Sequence, residues 1–145
     1  MSRENVELVQ ALFDALSRRD SAKILEAFYD PEIEMDFSNS PFADFMEQGR
    51  VHRHEGVQQA FRDWYDAWED VRIDVHEVID AGRDVVSVFT YRGRGRVSQV
   101  GVEWRQMAGV WSIRDDKVVR VAWLRTREDA LEAVGLRESD SLKGE

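Results

Sequence analysis

No cysteine occurs among the 145 residues. Disulfides, thiolate nucleophiles and Cys-ligated zinc are thereby excluded, and an oxidising compartment gains no support. Positive charge is scarce as well: 20 Lys+Arg stand against 29 Asp+Glu, a net charge of −9. Nucleic acid and anionic membranes need a net basic face and are not expected partners. No apolar run approaches the roughly 20 residues that span a bilayer. Met1–Phe13 mixes charge throughout, whereas a signal peptide needs a basic end followed by an apolar stretch. A cytoplasmic location is the expectation. Histidine occurs three times, with no His-x-x-x-His or acidic cluster at helical spacing, so neither a metal nor a cofactor is expected. A dinucleotide fingerprint, a phosphate-cradling glycine loop and a nucleophile elbow are missing too. What the chain does have is aromatic side chains, 5 Trp, 7 Phe and 3 Tyr, on a length suited to one well-filled domain.

Ser2 is suited to cap a helix with Glu4 and Glu7 near the positive end of its dipole. Val9, Leu12, Phe13 and Leu16 recur at three- to four-residue spacing and give 3–18 one apolar face. Asp20 caps a short helix over 21–29, which carries Ile24, Leu25, Ala27 and Phe28 and stops at Asp30-Pro31. Alternation of Ile33, Met35 and Phe37 with Glu32, Glu34 and Asp36 marks a half-buried strand. Residues 38–53, with Pro41, Phe42, Phe45, Met46 and Gly49, are too long and too apolar for a simple turn and suit a lid or ordered loop over a cavity. Val57, Ala60, Phe61, Trp64, Ala67 and Trp68 give a helix over 54–69 a bulky stripe.

Four β segments follow: Val71–Ile79, Asp84–Tyr91, Val97–Ile113 and Val118–Leu124. Turn signals at Asp80-Ala81-Gly82, Gly93-Arg94-Gly95 and Asp115-Asp116 separate them, so they pair as an antiparallel meander. Thr126-Arg127-Glu128-Asp129 opens a last helix over 127–134, which Gly135 ends. The order predicts an α+β fold: a curved antiparallel sheet, mixed at its edge, with helices 3–18, 21–29 and 54–69 on its concave face and a short C-terminal helix. Residues 1–137 form one domain and 138–145 a polar tail. Fully extended, Val97–Ile113 would reach roughly 55 Å, so it must curl, with Gly101 and Gly109 as bend points. A curled sheet crossed by helices encloses a cone whose open end is a pocket.

Asn5-Val-Glu-Leu-Val9, Leu16 with Asp20, Phe28-Tyr-Asp-Pro-Glu-Ile33, Glu55-Gly-Val57, Ile79-Asp-Ala-Gly82 and Val110-Trp-Ser-Ile-Arg-Asp-Asp-Lys-Val-Val119 resemble the SnoaL-like polyketide cyclase family. That family belongs to the cone-shaped superfamily of nuclear transport factor 2 and the ketosteroid isomerases. The similarity runs from about Ser2 to Leu136. One scaffold there hosts isomerases, cyclases, epoxide hydrolases, dehydratases and non-catalytic binders, so function is decided by the site. The resemblance implies a pocket lined by the first and third helices, the first strand and the inward faces of the long strands. It sets Asp36 where the isomerases carry their general-base carboxylate. Gly109 falls where isomerases or cyclases carry an acidic or imidazole group, and Leu12 where an isomerase has its oxyanion-holding tyrosine. Neither glycine nor leucine can donate or accept through its side chain, which argues against steroid-isomerase chemistry. The Arg/Asp set of the limonene-epoxide-hydrolase relatives is not recognisable.

Three residues are the catalytic candidates: Asp36, His52 and Arg105. Inside a Trp-lined cavity, desolvation would raise the Asp36 pKa toward a value useful for moving a proton; facing solvent, it is a plain strand carboxylate. His52 and His54 flank Arg53, where family relatives often have glycine, and are either acid–base groups or exposed loop residues. His76 alternates onto the surface of its strand. Period-two alternation puts Glu103, Arg105, Met107, Gly109 and Trp111 on one face, and Trp104, Gln106, Ala108 and Val110 on the other. The resemblance turns the Trp111 face into the cone. Arg105 would then pair with Asp36 or hold an anionic ligand group, or else form a rim pair with Glu103. An Asp36–Arg105 pair would depress the Asp36 pKa and oppose its role as a base.

Phe13, Phe61, Trp64, Met107, Trp111, Val121 and Trp123 are the candidate ligand walls, with plain core packing as the other reading. Trp104, on the opposite sheet face, suits a subunit interface. Helices confined to one face leave the other to be covered by a homodimer packed through the sheet. Arg92-Gly-Arg-Gly-Arg96 reads as a solvated hairpin tip. The functional expectation is a protein that binds a small, largely apolar organic molecule in the cone pocket, with cofactor-free acid–base catalysis of isomerase, cyclase or hydratase type as its extension. The alternative is a non-catalytic ligand-binding or dimeric assembly module with a side-chain-filled cavity. An open pocket reached by Asp36 separates the two.

Overall fold

Val9, Leu12, Phe13 and Ala15 are buried along one side of α1 (Ser2–Ser17) in the computed structural model, which describes residues 2–45 and 48–136. The expected tail at 138–145 and Met46 lie outside the described residues. The Asp20 side chain caps α2 (Ser21–Lys23) by accepting from the Lys23 N–H at 3.2 Å. The helix then widens into one π-helical turn, Ile24–Phe28, before β1 (Tyr29–Asp36). Pro31 has no N–H to give, and the β1 ladder accordingly skips from Tyr29 to Glu34. A 3₁₀ turn (Ala43–Phe45) and β2 (Arg50–His52) return the chain along β1, so 38–53 is the far arm of a hairpin. After α3 (Arg53–Ala67) come β3 (Trp68–Ala81), β4 (Asp84–Gly95), β5 (Gly101–Arg114), β6 (Lys117–Leu124) and α4 (Arg127–Ala133).

The six strands form one sheet in the order β2-β1-β6-β5-β4-β3. Only the β1–β6 pairing is parallel, which makes the sheet mixed, as expected. On the concave side, α1, α3 and β1 enclose the main core, with Phe89, Met107, Trp111, Val121 and Trp123 from the long strands. On the convex side, Val86, Val88, Ala108, Val110, Ala122 and Leu124 form a second cluster with Ala130 of α4. The helices are therefore not confined to one face. The premise that a homodimer must cover the convex sheet fails because α4 already does so.

Several bulges bend the sheet, at Asp70–Val71 and His76 of β3, Arg105–Gln106 of β5 and Val119 of β6, and none is at the expected glycines. Between Phe89 and Tyr91 of β4, β5 spends Arg105 and Gln106 against a single residue, and Gln106 takes a left-handed φ of 51°. Between Phe89 and Val88, β3 spends one extra residue, His76. The extra residue in β5 reverses its alternation. Met107, Gly109 and Trp111 face inward as expected, but Trp104 joins them there, packing on Phe42 at 5.4 Å between ring centroids and on Trp64 at 5.9 Å. Trp104 thus does not lie on the outer face and cannot serve an interface there. The β4–β5 turn also falls later than predicted, at 96–100, where Gln99 has φ 59°. Arg92, Arg94 and Arg96 consequently continue β4 or follow it directly, each ion-paired to Asp74, Glu103, Glu69 or Asp70, and form no hairpin tip.

Candidate functional site

The wide end of the cone holds a cavity of about 90 Å³. Phe13 and Leu16 of α1, Ala60, Phe61, Trp64 and Tyr65 of α3, and Met35 and Phe37 on the inward phase of the first strand supply one side. Val71 and Ile73 of β3, Phe89 and Tyr91 of β4, Met107 and Trp123 supply the other. Phe42 closes over it from the hairpin arm, its ring tilted against Phe37 and Trp64. Ser40 fixes that arm: its hydroxyl donates to the Phe37 carbonyl at 2.8 Å in a buried contact.

Of the expected walls, Phe13, Phe61, Trp64, Met107 and Trp123 line this space. Trp111 and Val121 are fully buried deeper in the cone and do not reach it. The narrow end is filled: Trp111 Nε1 donates to Ser87 Oγ at 2.8 Å, and Trp111 packs edge-on against Trp123 at 5.2 Å. A Cβ at Gly109 would meet Ser87 Oγ and Trp111 Nε1 at 3.1 Å and Trp123 at 3.2 Å. Glycine is what the packing there requires, and no acid or imidazole fits without displacing that indole.

None of the three catalytic candidates lines the cavity. Asp36 alternates with Met35 and Phe37, pairs in register with Ala122 of the convex cluster and points to that face. There its carboxylate, 4% exposed, accepts from Ser38 N at 2.9 Å, Ser38 Oγ at 2.6 Å and Arg120 at 3.0 Å, with Arg50 at 3.4 Å. Burial pushes its pKa up, but the Ser38 hydrogen bonds and the Arg50 and Arg120 charges outweigh that and hold it below the usual carboxylate value. A depressed carboxylate on the wrong face is not the general base of this cone. His52 is exposed and pairs in register with Glu34, outside the cavity. Arg105 sits in the β5 bulge with an 80% exposed side chain and pairs with Glu103; it does not meet Asp36. Among the other histidines, His54 Nε2 bonds the Tyr29 carbonyl at 3.0 Å and His76 Nε2 bonds Thr90 Oγ1 at 2.7 Å.

The polar groups that do face the cavity escaped the residue-level reading. Trp64 Nε1 donates to the Tyr91 hydroxyl at 2.5 Å. The Tyr65 hydroxyl is buried with no protein partner. Arg19 also lines the cavity, donating to the Trp68 carbonyl at 3.0 Å and lying over the Tyr65 ring at 5.1 Å. Burial pushes the Tyr91 phenol up to about 12 despite the Trp64 hydrogen bond, and it raises Tyr65 against the Arg19 charge. Both phenols therefore stay protonated donors at neutral pH. The β4 alternation Val85, Ser87, Phe89, Tyr91 carried the signal for Tyr91; Arg19, in the α1–α2 turn with φ 58°, carried none. Among the described residues, no group of three or more acidic or imidazole side chains is placed to hold a metal ion.

Solved structures share this architecture. An NTF2-like protein of unknown function from Burkholderia pseudomallei K96243 is 19% identical, with 91% of this chain and 98% of that one covered and a TM-score of 0.72. TerC, co-crystallised with polyporic acid, is 19% identical over 90% and 97% of the two chains, with a TM-score of 0.71. A Xanthomonas campestris pv. campestris protein provisionally described as a polyketide cyclase is 16% identical over 92% and 98%, with a TM-score of 0.67. At these identities the likeness shows the fold alone. No curated protein matches the chain significantly. The sequence itself matches the SnoaL-like domain over residues 9–121, from the buried face of α1 to the last strand of the cone, and the chain belongs to that family.

Proposed function

We propose that this protein binds a small, largely apolar organic molecule in the cone. The observation that carries this is the cavity itself: about 90 Å³ of space in an interior where close packing ordinarily leaves few gaps larger than a water molecule. An engineered apolar cavity of about 150 Å³ holds benzene, so the space suits a single ring once a wall side chain such as Phe42 gives way. Full drug-sized sites run from about 300 Å³. A larger ligand would need the hairpin arm to lift. TerC, with the same fold, was crystallised with an organic molecule, which supports this use of the scaffold.

The wall favours binding over acid–base catalysis. It contains neither a carboxylate nor an imidazole, and its two phenols are held protonated, so they can donate to a carbonyl or oxyanion but cannot abstract a proton. Self-association through the sheet stays a proposal without the Trp104 surface, and sedimentation equilibrium of the full chain tests it. The binding proposal is tested by ligand-detected NMR with a panel of single-ring aromatics on wild type and Ala60→Leu. Leucine at this buried, cavity-lining position fills the space at a stability cost of about 1–3 kcal/mol. Saturable binding by wild type and a loss of about tenfold or more in the variant are expected. Failure of every panel member to bind wild type, or equal binding by a folded variant, would overturn the proposal.

A further inference from the structure

Arg19 is half-buried, and its side chain lies against the apolar cavity. Its guanidinium has five N–H donors. One donates to the Trp68 carbonyl, and its face covers the Tyr65 ring. Twelve ion pairs join side chains elsewhere in the described structure, yet no described carboxylate lies within ion-pair distance of Arg19. Arg50, Arg92, Arg94, Arg105 and Arg120 meet their acids outside the cavity, and Arg19 is the arginine on its wall. Two more donors converge on the same wall. The Tyr65 hydroxyl is buried without a protein partner, and the Tyr91 hydroxyl, already accepting from Trp64, has its own proton to give. The Arg19 charge acts on both phenols, and the Asp20 charge acts on Tyr65. Arg19 and two phenols, with the Ser17 hydroxyl, meet an aromatic space whose wall holds no carboxylate, and an anion would complete that set.

We infer that the cavity is selective for aromatic monoanions of the arene-carboxylate class, with the ring among Phe13, Phe89, Met107 and Trp123 and the carboxylate held by Arg19 and the Tyr65 hydroxyl. The inference rests on the binding proposed above and adds the charge of the ligand. A guanidinium presents paired N–H groups that match a carboxylate, and hydrogen bonds to charged groups are the stronger ones. Low dielectric in an aromatic pocket strengthens the pair further. The net negative charge of the molecule opposes it at long range, an effect that salt screens and the local donors must exceed.

The test compares each anion with its neutral near-isostere at pH 7: benzoate with benzamide, and 2-naphthoate with 2-naphthamide. Dissociation constants come from ligand-detected NMR on wild type, Arg19→Met, Arg19→Lys and Tyr65→Phe, with circular dichroism to confirm folding. Wild type is expected to prefer the anion of a pair by about tenfold. Arg19→Met should lose that preference by weakening the acid far more than the amide, Arg19→Lys should keep part of it, and Tyr65→Phe should weaken it. Amides binding as well as the acids, or a preference that survives Arg19→Met, overturns the anion assignment and leaves the cavity proposal standing. If neither member of either pair binds wild type, the cavity proposal falls and this inference falls with it.

Discussion

Asp36 shows how one residue's parity decides its chemistry. Its neighbours Met35 and Phe37 line the cavity, and a strand sends successive side chains to opposite faces, so the acid between them must leave the cone. That alternation was legible in the sequence. The family resemblance set the same carboxylate in the pocket, and the local period was the better guide. On the convex side Asp36 ties the start of the hairpin arm, through Ser38, to Arg120 of β6 and Arg50 of β2. Its role there is structural, and the depressed pKa fixes how that role depends on pH. A carboxyl held below its unfolded value of about 3.9 contributes stability above that pH and loses it as pH falls through the native value. Asp36→Asn is expected to cost about 1–2 kcal/mol at pH 7, with the gap to wild type closing below about pH 4. Urea denaturation of both proteins at pH 7 and near pH 3 measures this. An equal gap at both pH values, or none at pH 7, would show that the carboxylate charge is not what holds the arm.

At the scale of elements, the helices and most turns were legible, whereas the β4–β5 turn and the interruptions of the strands were not. The apolar stripes of α1 and α3, the Asp20 cap and the Asp115-Asp116 turn are local patterns, and the structure realises each of them, with φ of 53° and 63° at the two turn residues. A bulge is set by cross-strand partners that no local window contains. Here two of the bulges, one in β3 and one in β5, meet at Thr90, a buried residue of β4. Its hydroxyl accepts from the Gln106 N–H of the β5 bulge at 3.2 Å and bonds His76 of the β3 bulge at 2.7 Å. One side chain thus ties together the His76 bulge of β3 and the β5 bulge at which Trp104 turns in and Arg105 stays out. Thr90→Val keeps the shape and removes the hydroxyl. It is expected to lower stability by about 1–2 kcal/mol and to speed exchange of the Gln106 amide well beyond that of its strand neighbours. Exchange that rises uniformly along β5 would mean that the hydroxyl contributes only to global stability and does not hold the bulge.

For the molecule as a whole, the order of elements and their capping signals were enough to place a curved mixed sheet under three helical segments. They were not enough to place α4, because a seven-residue helix with one or two apolar side chains fits either face. In the fold it covers the convex cluster, with Ala130 fully buried against Val86, Val88, Val110 and Leu124. Thr126 starts it by accepting from the Asp129 N–H at 3.0 Å. Among the described residues the large apolar side chains left exposed are then few, Val97 and Val100 at the β4–β5 turn and Val75 on β3, too scattered to form a patch of the size that marks an interface. A single short helix therefore separates this molecule from one with a bare apolar sheet. Ala130→Asp places a carboxylate in that cluster and is expected to cost about 2–3 kcal/mol. The helix should undock while the cone persists, because the concave core shares no residue with the convex one. Size-exclusion chromatography should then show larger species and a hydrophobic dye should gain fluorescence, with the near-ultraviolet tryptophan signal largely kept. A variant that elutes as wild type and binds no dye would show that the sheet tolerates exposure without α4, and loss of the tryptophan signal would show that the two cores fold as one unit.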